Sequence, residues 1–208
     1  MRSDIIRVMN PPTDEKMPVL PPQQGKVRWT RATFHWLCDS GILGEGRHEL
    51  INGEIVSTMP NEPHLFVNTR LFLALVRLFG EDHTRMGGSL AISDTQEPQP
   101  DVAVTLHPIT DYLSTGIPGP TEFVLVVEVS SATLHKDKTE KALLYAEAGI
   151  PDYWVVDVVG RRVQVYRDPI AGEYRSMHVY DETQNLSPLA NPQATLAVAS
   201  FLPPLPPA

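Results

Sequence analysis

Apolar residues recur along this chain with two different periods, and the switches between them mark out its elements. From Pro63 to Phe79, Leu65, Phe66, Leu71, Phe72, Leu75, Val76 and Phe79 keep close to a helical repeat, which predicts a core helix ended by Gly80. Upstream, Thr30 is placed to cap a helix over residues 31–40, with Gly41 as its stop. Between these lies His48-Glu-Leu-Ile-Asn-Gly-Glu-Ile-Val-Ser57, in which Asn52-Gly53 between short β-like runs is a two-residue hairpin signal. In that register Ile51 opposes Glu54 and Glu49 opposes Val56, so both glutamates share one face of the ribbon.

Downstream the period shortens. Strands are expected over residues 84–92, 101–106 and 122–130, the last with the unbroken apolar run Phe123-Val-Leu-Val-Val127 of a strand buried on both faces. A second helix is expected from Asp137, which with Glu140 three residues later resembles a capping box, through Lys141, Leu144 and Tyr145 to Gly149. A strand over 153–157 follows, then a hairpin of 161–167 with 173–180. The order helix, strand, strand, strand, helix, strand predicts a mixed α/β layered domain.

Length and composition sharpen this picture. The 208 residues suit one domain with appendages, and 42% hydrophobic against 20% charged residues is enough to build a core. Of the 20 prolines, eleven lie in residues 1–22 or 188–208. Proline neither continues a helix nor donates to a ladder, so residues 1–25 are expected as an extended arm and 187–208 as an extended, flexible tail around a folded unit over 26–186. One cysteine, Cys38, allows no internal disulfide and favours a reducing compartment. No signal-like or membrane-length apolar run occurs, so the expectation is a cytoplasmic protein that does not engage a membrane. With a net charge of −8 no broad basic face is visible in the totals, leaving any contact with phosphates local or metal-assisted.

Two carboxylates stand out. Asp101 follows Pro100 at the head of a strand, and Glu128 sits near the end of the most apolar one. Burying a lone carboxylate costs several kcal/mol, so Glu128 needs a cation, a metal or hydrogen-bond donors, or else lies at an exposed strand end. Lys141 is four residues after Asp137, the spacing of an ordinary surface ion pair, and Asp137 itself reads as a helix cap. His64 opens a helix and has no other His or Cys at ligand spacing, which discounts a histidine metal site. No Gly-rich phosphate loop is present, Ser130-Ser131 lacks the elbow of a hydrolase nucleophile, and no nucleotide cofactor is expected.

The series Glu49-Leu-Ile-Asn-Gly-Glu54, Pro60 with His64, Pro100-Asp101, Glu128-Val-Ser130, Asp137, Lys141, Tyr145 and Gly149-Ile-Pro-Asp-Tyr-Trp-Val-Val-Asp157 resembles the Uma-two family of restriction endonucleases, within the PD-(D/E)XK nuclease superfamily. The resemblance spans about Arg28 to Tyr180. It implies a restriction-endonuclease-like αβββαβ core with a mixed sheet, an N-terminal helix and β-hairpin, and additional C-terminal strands. It implies also a metal-dependent endonuclease acting on DNA, with Asp101 and Glu128 binding Mg²⁺, or Mn²⁺ in its place. Ser130 stands where the superfamily has its lysine. That lysine is matched instead by Lys141 on the following helix, with Lys138 close enough to compete. A further acid comes from the hairpin, Glu54 slightly ahead of Glu49. Arg161, Arg162, Arg167 and Arg175 form either a phosphate track or a solvated hairpin edge. A homodimer would suit cleavage of two strands. The rival reading is a catalytically silent module binding nucleic acid or a partner protein on the same fold.

Overall fold

Asn52 and Gly53 both take positive φ, 52° and 71°, the twist that lets a two-residue turn join right-twisted strands. They connect β1 (Arg47–Ile51) to β2 (Glu54–Thr58) in the expected register, Glu49 opposite Val56 and Ile51 opposite Glu54. The computed structural model describes residues 27–131 and 133–205, and the arm expected over residues 1–25 lies outside the described residues. Before the hairpin runs α1 (Arg31–Asp39), where the Thr33 amide donates to Thr30 Oγ1. After it comes α2 (Glu62–Phe79), started by Asn61, whose Oδ1 accepts from the His64 amide at 3.1 Å, and ended at Gly80 with φ 86°.

Six strands form one sheet, in chain order across it: β3 (Thr84–Met86), β4 (Val102–Thr105), β5 (Phe123–Ser130), β6 (Asp152–Asp157), β7 (Arg162–Ile170) and β8 (Glu173–Asp181). β5 and β6 are parallel and every other pair is antiparallel, so the sheet is mixed. The strand expected over 84–92 stops at Met86, because Gly87 and Gly88 at φ 68° and 90° turn the chain off the sheet edge. A single turn, α3 (Tyr112–Thr115), lies between β4 and β5.

The parallel pair requires a crossover, which α4 supplies. It consists of a turn at Leu134–Lys136, a π-helical turn at Asp137–Lys141 and an α-helix at Ala142–Glu147. Asp137 therefore does not cap this helix, as the sequence pattern suggested. Its carboxylate is taken by the hydroxyls of Ser130 and Thr133, and helical backbone already runs ahead of it.

Helices cover both faces. Val67, Leu71 and Leu75 of α2 pack on Val104, Leu125, Val127 and Trp154, while Ala142 and Tyr145 of α4 pack on Val126, Tyr153 and Val155. The core order α2, β3, β4, β5, α4, β6 is the expected αβββαβ, preceded by α1 and the hairpin and followed by further strands.

The described part of the expected C-terminal tail behaves otherwise. β9 (Asn185–Leu186) pairs with β10 (Leu196–Ala197), and Leu196, Val198, Phe201 and Leu202 are buried in the α2-side core beside Val163 and Val165. The folded unit thus continues past Leu186 to Leu202. Pro188 lies within a turn, its carbonyl accepting from the Asn191 amide, and the apolar residues beyond it outweigh the local proline signal.

Candidate active site

Antiparallel pairing decides where the two singled-out acids fall. Val102 stands opposite Val127, so one step along the ladder Asp101 stands opposite Glu128. Both are only 3% exposed. Asp101 Oδ2 accepts from the Val129 amide at 2.7 Å and lies 3.1 Å from His64 Nε2, while Oδ1 is paired with Arg47. Burial alone would raise the Asp101 pKa; the His64 hydrogen bond, the Arg47 charge and the Val129 amide outweigh it and hold the value at about 2.

Glu128 projects on the α4 side of the sheet. Its Oε1 accepts from Lys141 Nζ at 2.9 Å and from the Tyr145 hydroxyl at 2.8 Å. The same ammonium donates to Glu49 Oε1 at 3.1 Å, which also takes the Gln99 amide at 2.9 Å and sits 3.4 Å from Arg47 Nη2. Lys141 thus ties the hairpin to the sheet. Desolvation, with the nearby charges of Asp101, Glu49 and Asp137, drives the Glu128 pKa up to about 8 against the pull of Lys141. Burial would lower the Lys141 pKa, but the carboxylates around it raise it instead. Burial drives the Glu128 shift first and the surplus of negative charge adds to it, while that same surplus holds Lys141 up against burial, so the ammonium stays charged and Glu128 is the group that takes a proton.

The π turn contributes two side chains. Asp137 and Lys141 are both buried on it, and the Tyr153 hydroxyl anchors it by donating to the Asp137 carbonyl at 2.8 Å. A cavity of about 130 Å³ opens at this end of the sheet, lined among others by Arg47, Glu49, His64, Asp101, Glu128 and Lys141, with Lys136 and Asn61 at its wall.

Asp101, Glu128 and Lys141 are therefore brought together. Glu54 is not: it is exposed on β2 and does not line the cavity, whereas Glu49 does. Lys138 lines a different cavity, with Tyr166 and Tyr174. Arg47, His64 and Asp137 belong to the site although none was singled out for it. Period-two alternation could have found Arg47, two residues before Glu49 on the same strand face. Asp137 and His64 carried only local readings, as a cap and at a helix start. The hairpin arginines carry acids of their own: Arg161 pairs with Glu182, Arg162 with Asp157 at 3.0 Å, Arg167 with Asp152 at 2.8 Å and Arg175 with Glu173 at 3.7 Å. That pairing favours the hairpin-edge reading over the phosphate track.

Among the described residues no group of three or more His, Cys, Asp or Glu side chains is arranged as a metal cage. Mg²⁺ does not need one, since it is held by one or two carboxylates and completes its octahedron with water and phosphate oxygens. Asp101 and Glu128 fit that pattern: they are hard oxygen donors side by side, in a cluster where four buried carboxylates, with Glu49 and Asp137, face the two permanent cations Arg47 and Lys141.

A mixed sheet between helical layers, with acids and a lysine gathered where β4 and β5 meet, defines an α/β protein of the restriction-endonuclease-like class. The Uma2 family model, described as "Putative restriction endonuclease", matches residues 32–199, and the chain belongs to this family. The crystal structure of a protein from Anabaena variabilis, titled a "putative nuclease belonging to DUF820", is similar in fold, with a TM-score of 0.59 at 17% identity over 78% of this chain and 95% of that chain. No curated protein matches the chain. No helix among the described residues is long and apolar enough to cross a membrane.

Proposed function

We propose that this protein is a metal-dependent endonuclease that hydrolyses phosphodiester bonds of DNA. The observation that carries the reading is the juxtaposition of Asp101 and Glu128 across the β4–β5 ladder, with Lys141 bonded to Glu128 at 2.9 Å. In this reading Asp101 and Glu128 hold Mg²⁺ or Mn²⁺. Such an ion supplies Lewis-acid stabilisation of the phosphate and an acidified water. Lys141 is placed to orient the attacking water and to offset charge on the phosphoryl oxygens. We assign the further acid to Glu49, which fixes Lys141 from the other side. Lys136 and Arg47, at the cavity wall, are the nearby cations for the substrate backbone. A homodimer would present two such sites to the two strands.

The test is incubation of the purified protein with supercoiled plasmid, linear duplex and single-stranded DNA in Mg²⁺ or Mn²⁺, beside Asp101→Asn and Lys141→Met. Metal-dependent cutting by the wild type that both substitutions abolish supports the reading. DNA binding without cutting by any form would favour the silent module instead.

A further inference from the structure

Among the described residues Arg85 is a cation without a counter-charge. It stands on the edge strand β3, with Cζ 5.9 Å from the ring centroid of Tyr112 and 5.8 Å from that of Phe123. No carboxylate pairs with it among the described residues, and its Nη1 is shielded from water with no hydrogen-bond partner. Burial pushes the guanidinium pKa down, with only Tyr112 acting the other way. Aromatic faces offset part of that penalty, and an anion meeting the half-buried guanidinium would offset more of it.

The surroundings keep the charge in place. Gly88 has φ 90°, and a Cβ there would fall 2.5 Å from Arg85 Nη2, so the glycine leaves room for the guanidinium. Arg85 lines an open cavity of about 740 Å³, a size common for small-molecule sites. The remaining wall is largely apolar, with Phe72, Met86, Ile117 and Leu113, and Leu113 is 88% exposed with nothing covering it. None of these residues lines the Asp101–Glu128 cavity.

We propose that this cavity binds a small amphipathic anion, a carboxylate or phosphate monoester on an aromatic or branched body. Its oxygens meet Arg85 and its body lies against Phe72, Tyr112 and Leu113. An apolar wall with a single unpaired cation selects for that combination, because a neutral ligand leaves the charge unrelieved and a fully polar one leaves the wall wet. The site stands whether or not the protein cuts DNA.

The probe is anilinonaphthalene sulfonate, titrated into the full-length protein and followed by fluorescence. Saturable binding is expected, displaced by phenylacetate or phenyl phosphate and not by phenylacetamide; the stronger of the two acids identifies the headgroup. Arg85→Met keeps most of the volume between the rings and should weaken the sulfonate about tenfold, as loss of one charge-assisted contact does. Binding of neutral N-phenylnaphthylamine should be unchanged. If Arg85→Met does not fold, Leu113→Glu places a negative charge at the exposed mouth and should weaken the sulfonate in the same way. Equal competition by the amide, or wild-type sulfonate binding in a folded Arg85→Met, overturns the proposal.

Discussion

Lys141 Nζ lies 2.9 Å from Glu128 Oε1, joining a helix to a strand thirteen residues earlier, with both side chains almost wholly buried at the wall of the cavity. The pair is embedded among further carboxylates, so its cation is shared, and most of what can be tested about the site follows from that shortage of positive charge.

A divalent cation bound to the folded protein alone stabilises it in proportion to the logarithm of its concentration. Mg²⁺ or Mn²⁺ should therefore raise the melting temperature of the wild type, and Glu128→Gln and Asp101→Asn should each remove the shift. Thermal melts with and without metal decide this. A wild-type melt that metal leaves unmoved contradicts the assignment of Asp101 and Glu128 as ligands.

Stability and metal affinity should respond to pH in opposite senses. Glu128 ionises at about 8 in the folded protein and at the ordinary glutamate value when unfolded, so between those limits the folded state holds an extra proton. Metal-free stability consequently falls as pH rises through that window, by an amount on the order of several kcal/mol, while metal, which displaces the proton, binds more tightly. Asp101 works the other way: held at about 2, it contributes stability above the ordinary aspartate value that is lost on acidification toward its folded pKa. Urea midpoints across pH should show the alkaline loss in the wild type and not in Glu128→Gln.

Lys141→Met leaves Glu128 and Glu49 without their ammonium. Removing one partner of a buried ion pair costs about 3–5 kcal/mol, and the loss should grow with pH as Glu128 is forced to ionise. Adding Glu128→Gln should recover much of the stability and none of the cleavage. A single Lys141→Met variant as stable as wild type at alkaline pH would mean the ammonium is not buried against these acids.

The hairpin acids separate cleanly. Glu49→Gln should lower cleavage about a hundredfold or more, on the scale of losing one preorganised polar group in an active site, whereas Glu54→Gln should leave it within about twofold. Parallel plasmid assays at equal folded concentration measure both.

The C-terminal segment should behave as core. Phe201→Ala should destabilise by about 3–5 kcal/mol, and a chain ended after Leu186 should fail to fold cooperatively, because Leu196, Val198, Phe201 and Leu202 leave the α2-side core together. A chain ended after Pro203 should melt as the full-length protein does.

Much of this was legible in the sequence because the relevant forces are local. The periodic apolar stripe of α2, the Asn52-Gly53 turn and the unbroken apolar run of β5 each declare their element, and the αβββαβ order follows from reading them in turn. Glu128 announces itself by sitting near the end of a strand too apolar to hold a carboxylate freely, and Asp101 by following Pro100 at the head of another. The misreadings share one origin. Asp137 has a capping spacing to Glu140, but Ser130 and Thr133 claim its carboxylate; the prolines beyond Leu186 resemble a tail, yet the apolar residues among them find a hydrophobic face to cover. In both cases a contact between segments overrides a local preference of about 1 kcal/mol.

What the chain determined unaided is therefore its elements, their order, and the acids that burial makes costly. Only the tertiary structure decided which charges share a cavity. Packing brought Glu49 rather than Glu54 onto Lys141, set Arg47 and His64 around Asp101 and neutralised the late arginines with neighbouring acids. The physical reason is that electrostatic partnership depends on distance in space and on the removal of water, and neither is a property of spacing along the chain.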